Sequence, residues 1–250
     1  MTERLGFYER VLRELLEQGL VQRDWRVLVA AGGDVDRRAL AAAGFSDVTV
    51  TNVSPGPGEE LQDAESLTYD DDSFDLAVVS AGLHHCASPH RALLELYRVA
   101  RRGVLALEAR DSALMRAALR FGVVDAYELT AVADNDFASG GFRNTQVPNY
   151  VYRWTEREVE KTIASAHPER RHRFVWFREL ELPVSVLELS GKARWRLAAA
   201  PLRLVTRVFP RQANLFAFAV FRGELQPWLR DERTVDADEV RRRLGRRPPP

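Results

Sequence analysis

Two adjacent imidazoles, His84 and His85, follow the short apolar run Leu76-Ala77-Val78-Val79 and the small residues Ser80-Ala81-Gly82. An imidazole titrates near neutral pH, so either histidine is a candidate to take a proton from a hydroxyl; contact with a substrate and simple packing stay open beside that role. Cys86 and His90 lie close by and invite a zinc reading. The first ligands would be adjacent and no second spaced pair follows, so no metal is expected. Asp70-Asp71-Asp72 lacks the alternating acids, glycine and distal glutamate of a calcium loop and reads as a solvated turn. Hydrolase chemistry has no Gly-x-Ser-x-Gly to rest on, and nicotinamide chemistry needs Gly-x-Gly-x-x-Gly where the chain has Ala31-Gly32-Gly33-Asp34-Val35-Asp36.

These residues need elements to hold them. The run 76–79 is bounded by turn residues, as expected of a parallel strand covered on both faces, and ligands of open α/β sheets bind outside the carboxyl ends of such strands. That argument puts His84 and His85 where a substrate would sit. Upstream, 26–30 reads as a buried strand entering a glycine turn and a helix that Gly44 closes. Residues 48–51 form the next strand. Asn52 ends it about 20 residues after the glycine turn, where a nucleotide-binding fold puts a ribose-binding acid. An amide there can accept from one hydroxyl and donate to the other, or it can serve as a strand-end turn residue. Leu5, Tyr8, Val11, Leu12, Leu15 and Leu16 predict an amphipathic helix over 3–18. Ser88 and Pro89 start another helix, with Leu93, Leu96, Tyr97 and Ala100 as its buried stripe, before a strand at 104–108. After a helix at 112–120, residues 122–148 form a long irregular stretch, the length expected of a lid or insertion. Thr155-Glu156-Arg157-Glu158 is a capping box that ends it. Strand 172–177, a helix over 193–208 interrupted at Pro201 and strand 215–222 complete the order. Residues 226–250, charged and ending in three prolines, read as a frayed tail.

Composition narrows the function. The 250 residues include 46% hydrophobic side chains, enough for one large core, so a single domain over 1–225 is expected, with 122–154 inserted. Lys plus Arg and Asp plus Glu are 36 each, so no net charge attracts nucleic acid. The single cysteine, Cys86, excludes an intramolecular disulfide. No apolar run is long enough to span a bilayer and no signal-like start is present; a cytoplasmic protein without integral membrane association is expected. Oligomeric state is not set by these features.

Five blocks in order resemble the class I S-adenosylmethionine-dependent methyltransferases: Asp63-Ala64-Glu65-x-Leu67, Asp72-Ser73-Phe74-Asp75-Leu76, Leu83-His84-His85, the helix ending in Arg98-Val99, and Val104-Leu105-Ala106-Leu107-Glu108. The resemblance implies a Rossmann-like, doubly wound α/β fold with a seven-stranded sheet whose last strand is antiparallel, and S-adenosylmethionine as cofactor with S-adenosylhomocysteine as product. It also implies cofactor contacts at Ala31, Gly32, Gly33, Asn52, Asp63, Ala64 and Ser80. Asp63 would accept from the adenine amino group, and the Ala64 backbone would meet the ring. The chain departs from the family pattern at Val29, which stands for an acid, at Ala31 and Val35, which stand for glycines, and at Asn52. Those four departures fit an alternative, a non-catalytic scaffold of the same fold. For the acceptor, Tyr127, Arg143, Asn144, Asn149, Tyr150, Tyr152 and Trp154 combine flat apolar faces with fixed hydrogen-bonding groups. That mixture suits a small polar molecule, a sugar or glycoside hydroxyl or a phenolic natural product, methylated on oxygen with His84 or His85 as base. The same aromatics suit the core of the closing helix and strand equally.

Overall fold

The computed structural model describes residues 2–181 and 201–245. Seven strands form one sheet: β1 (Val27–Ala30), β2 (Val48–Asn52), β3 (Glu60–Leu61), β4 (Phe74–Ser80), β5 (Ala100–Ala109), β6 (Arg170–Glu179) and β7 (Leu215–Leu225), in the order β3-β2-β1-β4-β5-β7-β6. The first five run parallel, and β7 lies antiparallel between β5 and β6, as the family resemblance implies. The chain winds outward from β1 to β3 and returns to β4, so the strand order reverses at the β1–β4 junction. Above such a reversal the crossovers diverge and leave a crevice at the strands' carboxyl ends.

Alternation along the central strands explains why both faces are covered. Leu28, Ala30, Ala77 and Val79 point into one apolar cluster, whereas Val27, Val29, Leu76 and Val78 point into the other. The first cluster is closed by helices α3 (Pro89–Val99) and α6 (Glu156–Ala166) through Leu93, Leu96, Tyr97, Val159 and Ile163. The second is closed by α1 (Thr2–Glu17) and α2 (Asp34–Ala43) through Tyr8, Val11, Leu12, Leu15, Ala39 and Leu40. Gly44 ends α2 at φ 91°, a left-handed cap that glycine adopts without strain. The capping box of α6 forms: Thr155 Oγ1 accepts from the Glu158 N–H at 3.2 Å, and Glu158 accepts from the Thr155 N–H at 3.4 Å.

The structure departs from the sequence expectation in three places. The two-residue β3 carries no periodicity from which it could be read. Within 122–148 the chain forms α4's exit, a short helix α5 (Leu129–Ala133) and a 3-10 turn (Phe142–Asn144), α4 itself spanning Ala113–Arg120. The stretch 226–245 holds helix α7 (Ala237–Arg243), capped where the Asp236 carboxylate accepts from the Asp238 and Glu239 N–H groups. Of the helix expected over 193–208, residues 201–208 are helical and the remainder lies outside the described residues. No described helix is long and apolar enough to cross a membrane.

Candidate active site

The carboxyl ends of β1, β2 and β4 border a first cleft lined by Ala31, Asn52, Asp63, Ala64, Ala81, Gly82, His85 and, from the insertion, Gly140, Arg143 and Asn144. Backbone demands fix its floor. A Cβ on Gly32 would fall 2.4 Å from Val29 Cγ1, and one on Gly82 would fall 2.8 Å from both the Ala31 Cβ and Val79 Cγ2, so only glycine fits either position. Ala31 and Ala81, at the ends of β1 and β4, are held in the left-handed region at φ 49° and 53°. L-residues adopt that conformation at a cost, and such strain gathers at functional sites. Gly33 caps α2, its N–H donating to Asp36 Oδ2 at 3.0 Å. Burial raises the Asp36 carboxyl to about pKa 6 against the pull of its backbone hydrogen bonds. Its Oδ1 has no partner of hydrogen-bond geometry among the described residues, but the buried Tyr8 hydroxyl of α1 faces the carboxyl closely enough to favour its charged form.

Asn52 is turned back on the glycine turn: its Nδ2 donates to the Gly32 carbonyl at 3.1 Å and its Oδ1 accepts from the Ser54 N–H at 3.2 Å. Asp63 Oδ1 accepts from the Glu65 N–H at 2.9 Å, and Oδ2 pairs with Arg143 Nη2 at 2.9 Å. The insertion thus closes over the first cleft through Arg143. Ser80, expected beside the cofactor, lines a second, adjoining cleft instead.

That second cleft lies over the ends of β4, β5 and β7. Phe7, Leu107, Met115, Val124, Val151 and Phe216 make its apolar walls, and Ser80, His84, Glu108, Glu128, Arg153, Glu181 and Asn214 its polar groups. Ala81 borders both clefts, and the histidine pair separates them, with His85 facing the first and His84 the second.

Both histidines sit on a one-turn 3-10 helix (Leu83–His85) anchored by Glu108, whose Oε1 accepts from the Leu83 N–H at 2.8 Å. Glu108 Oε2 lies 2.6 Å from His84 Nδ1, and Glu128 Oε2 lies 3.2 Å from His84 Nε2. Burial alone would lower the His84 pKa; the Glu108 carboxylate, with Glu128 behind it, overcomes this and raises it to about 9. Both ring nitrogens of His84 are engaged by carboxylates that favour its cationic form, so it is poorly suited to the role of base. His85 Nδ1 lies 3.2 Å from the Gly141 carbonyl and Nε2 3.4 Å from Glu128 Oε2. Burial and the neighbouring His84 charge lower its pKa. Glu128 is held down to about 2, its own burial being outweighed by His84. Cys86 and His90 take no part in this cluster. The Cys86 thiol, which burial pushes up to about 12, faces the Gly82 carbonyl at 3.5 Å, and His90 Nε2 lies 3.2 Å from Glu158.

The residues expected to bind acceptor divide. Arg143 and Asn144 line the first cleft. Tyr127 and Tyr150 stack edge to face at 5.6 Å, 54% and 55% exposed. Asn149 is 1% exposed and donates to Glu128 Oε2 at 3.4 Å. Trp154 is fully buried in the core against Phe218, and the Tyr152 hydroxyl donates to Glu158. Neither lines a cleft; both belong to the core that closes α6 onto the sheet. Sequence reasoning missed Arg153 and assigned no role to Glu108 or Glu128. A strand-end glutamate followed by an acid in the insertion is a signal that only the fold assembles.

Residues 27–107 match a family model described as a methyltransferase domain. No curated protein is similar in sequence. Among solved structures, a chain of the Haloferax volcanii complex between the Trm112 methyltransferase activator and a methyltransferase is similar over 89% of this chain and 95% of its own. Its identity is 14% and its TM-score 0.52, a likeness of fold. A 1,6-didemethyltoxoflavin-N1-methyltransferase from Burkholderia thailandensis, solved with 1,6-didemethyltoxoflavin and S-adenosylhomocysteine, is 12% identical over 88% of this chain and 79% of its own, at TM-score 0.49. The magnesium protoporphyrin IX methyltransferase of Synechocystis PCC 6803, solved with S-adenosylhomocysteine, is 13% identical over 88% and 83%, at TM-score 0.49.

Proposed function

We propose that the chain, whose residues 27–107 match a methyltransferase domain, is a class I S-adenosylmethionine-dependent methyltransferase and that it methylates a hydroxyl of a small polar acceptor. S-adenosylmethionine, its cofactor, supplies a methyl group already activated on a sulfonium. The work left to the protein is alignment and exclusion of water.

The first cleft has the donor set for the cofactor. Gly32 and Gly82 leave room against the backbone that any side chain would fill. Asp63 spends two of a carboxylate's roughly four acceptor sites on Glu65 and Arg143 and keeps capacity for an amino donor. Asn52, bonded to Gly32 and Ser54, retains one N–H and one lone pair for ribose hydroxyls. Ala64, buried beside Asp63, offers its backbone to the ring.

The observation that carries the acceptor reading is the second cleft, which meets the first at Ala81 and the histidine pair. Apolar walls with a few fixed polar groups are what orients a small ring-bearing molecule. Arg153 and Glu128 would hold its polar substituents, Tyr127 and Tyr150 would cover it from the rim, and the hydroxyl proton would leave toward His85, the histidine of the pair that is not held cationic. A sugar, glycoside or phenol fits this description. The test is a screen of sugars, phenols and amines by release of S-adenosylhomocysteine, repeated with Met115→Trp, which fills the second cleft. Turnover with hydroxyl acceptors, lost in Met115→Trp while S-adenosylhomocysteine still binds, is the expected result. Turnover confined to amine or carbon acceptors, or untouched by Met115→Trp, would refute the reading.

A further inference from the structure

We propose that His84, His85 and Glu128 form a binding site for one divalent transition-metal ion. Nε2 of His84 and Nε2 of His85 lie 3.2 Å and 3.4 Å from the same oxygen, Glu128 Oε2, and the three donor atoms fall within 4.8 Å of one another. Ligands at about 2.1 Å from a shared ion stand roughly 3.0 Å apart across an octahedral edge and roughly 3.4 Å apart in a tetrahedron, so both glutamate distances are those of neighbouring ligands.

The atoms behind the donors point the same way. A metal-ligating histidine almost always directs its other ring nitrogen at a carboxylate or a backbone carbonyl, which fixes the tautomer and aims the lone pair. His84 Nδ1 faces Glu108 Oε2 at 2.6 Å and His85 Nδ1 faces the Gly141 carbonyl at 3.2 Å, so each Nδ1 can donate and each Nε2 can coordinate, the ion displacing the proton that His84 Nε2 otherwise directs at Glu128. In the neutral tautomer that donates Nδ1–H to Gly141, the His85 Nε2 lone pair faces Glu128 Oε2, a contact that a cation between them would relieve. Asn149, buried against Glu128, also has an Oδ1 with no hydrogen-bond partner among the described residues, an acceptor suited to a water on such an ion.

Two imidazoles and one carboxylate are borderline ligands, matched to Zn²⁺, Fe²⁺, Co²⁺ or Mn²⁺ rather than to Mg²⁺ or Ca²⁺, which favour all-oxygen sets. Three protein ligands leave coordination positions open, and the cluster lies between the two clefts. Metal binding stands on this geometry alone. Its role, holding the acceptor's hydroxyl oxygen beside the methyl donor, rests on the function proposed above.

The experiment is calorimetric titration of the full chain, dialysed against chelator, with Zn²⁺, and with Co²⁺ followed by its visible absorption. One ion per chain is expected. His85→Ala and Glu128→Gln should each weaken binding by about 100-fold or more, and Glu108→Gln, which removes only the support behind His84, by about 10- to 100-fold. His90→Ala, outside the cluster, serves as control and should leave binding unchanged. Thermal unfolding in chelator checks that each variant is folded, and S-adenosylhomocysteine binding by the parent in chelator reads the cofactor cleft separately, so failure here and failure of the methyl-transfer reading are distinguishable. Should Glu108→Gln or Glu128→Gln unfold, the partly exposed His85→Ala decides. No uptake of either ion, or uptake that survives His85→Ala in folded protein, would overturn the proposal.

Discussion

Replacing Asp36 by asparagine isolates the electrostatic cost of the junction between α1 and the glycine turn. Asp36 is 6% exposed; the Gly33 N–H donates to one carboxyl oxygen, and the buried Tyr8 hydroxyl adds a lesser pull that also favours the charged form. Its pKa rises from 3.8 to about 6, chiefly through burial. Between those values the folded chain holds a proton that the unfolded chain has lost. Stability therefore falls as pH rises through that window and stays lower above it. The shift corresponds to about 3 kcal/mol at full ionisation, as an upper figure. Asparagine keeps an oxygen for the Gly33 N–H and carries no charge. At about pH 8 the variant should be more stable by up to about 3 kcal/mol, or roughly 6–12 °C in Tm for a chain of this size, and the gain should vanish below about pH 4. Urea denaturation of parent and variant across this range measures the difference directly. A difference that does not change with pH, or an asparagine variant less stable than its parent at the alkaline end, would refute the reasoning.

Ala31→Gly relieves a left-handed conformation worth ~1–2 kcal/mol for an L-residue against ~0.5–1 kcal/mol of added chain entropy, so a gain within about 1 kcal/mol is expected. It also removes a methyl from the first cleft; denaturation and S-adenosylhomocysteine titration check both effects, and a loss in both would count against the strain argument. Arg143→Ala frees Asp63 Oδ2, and because an exposed ion pair is weak the expected gain in S-adenosylhomocysteine affinity is no more than about five-fold by the same titration. A marked loss would mean that Arg143 itself holds the ligand.

What could be read in advance follows from how each feature is encoded. Apolar runs such as 27–30 and 76–79, punctuated by glycine and acidic turns, carry their own signal, so most of the strands could be read from local sequence, whereas the direction of the closing strand came only with the family resemblance. β3 is too short for any period to exist. The clefts are another matter: His84 meets Glu108 across 24 residues and Glu128 across 44, distances that only the strand order makes short. Left-handed backbone at Ala31 and Ala81 leaves no trace in residue type, unlike the glycines at 32 and 82. In sequence Tyr152 and Trp154 suit an acceptor site and a core equally, because an aromatic beside polar residues looks alike in both. The strand bridge between Trp154 and Arg110 draws them into the core, while Tyr127 and Tyr150, with the same composition around them, stay at the surface.

The central claim is that the cleft above β1, β2 and β4 holds the methyl donor, and calorimetric titration with S-adenosylhomocysteine tests it most directly. The parent should bind, and Asp63→Ala should weaken binding more than Asn52→Ala does, because a carboxylate facing an amino donor makes a bond roughly twice as strong as a neutral amide can. No binding at millimolar ligand, or an Asp63→Ala variant with the affinity of its parent, would contradict the account.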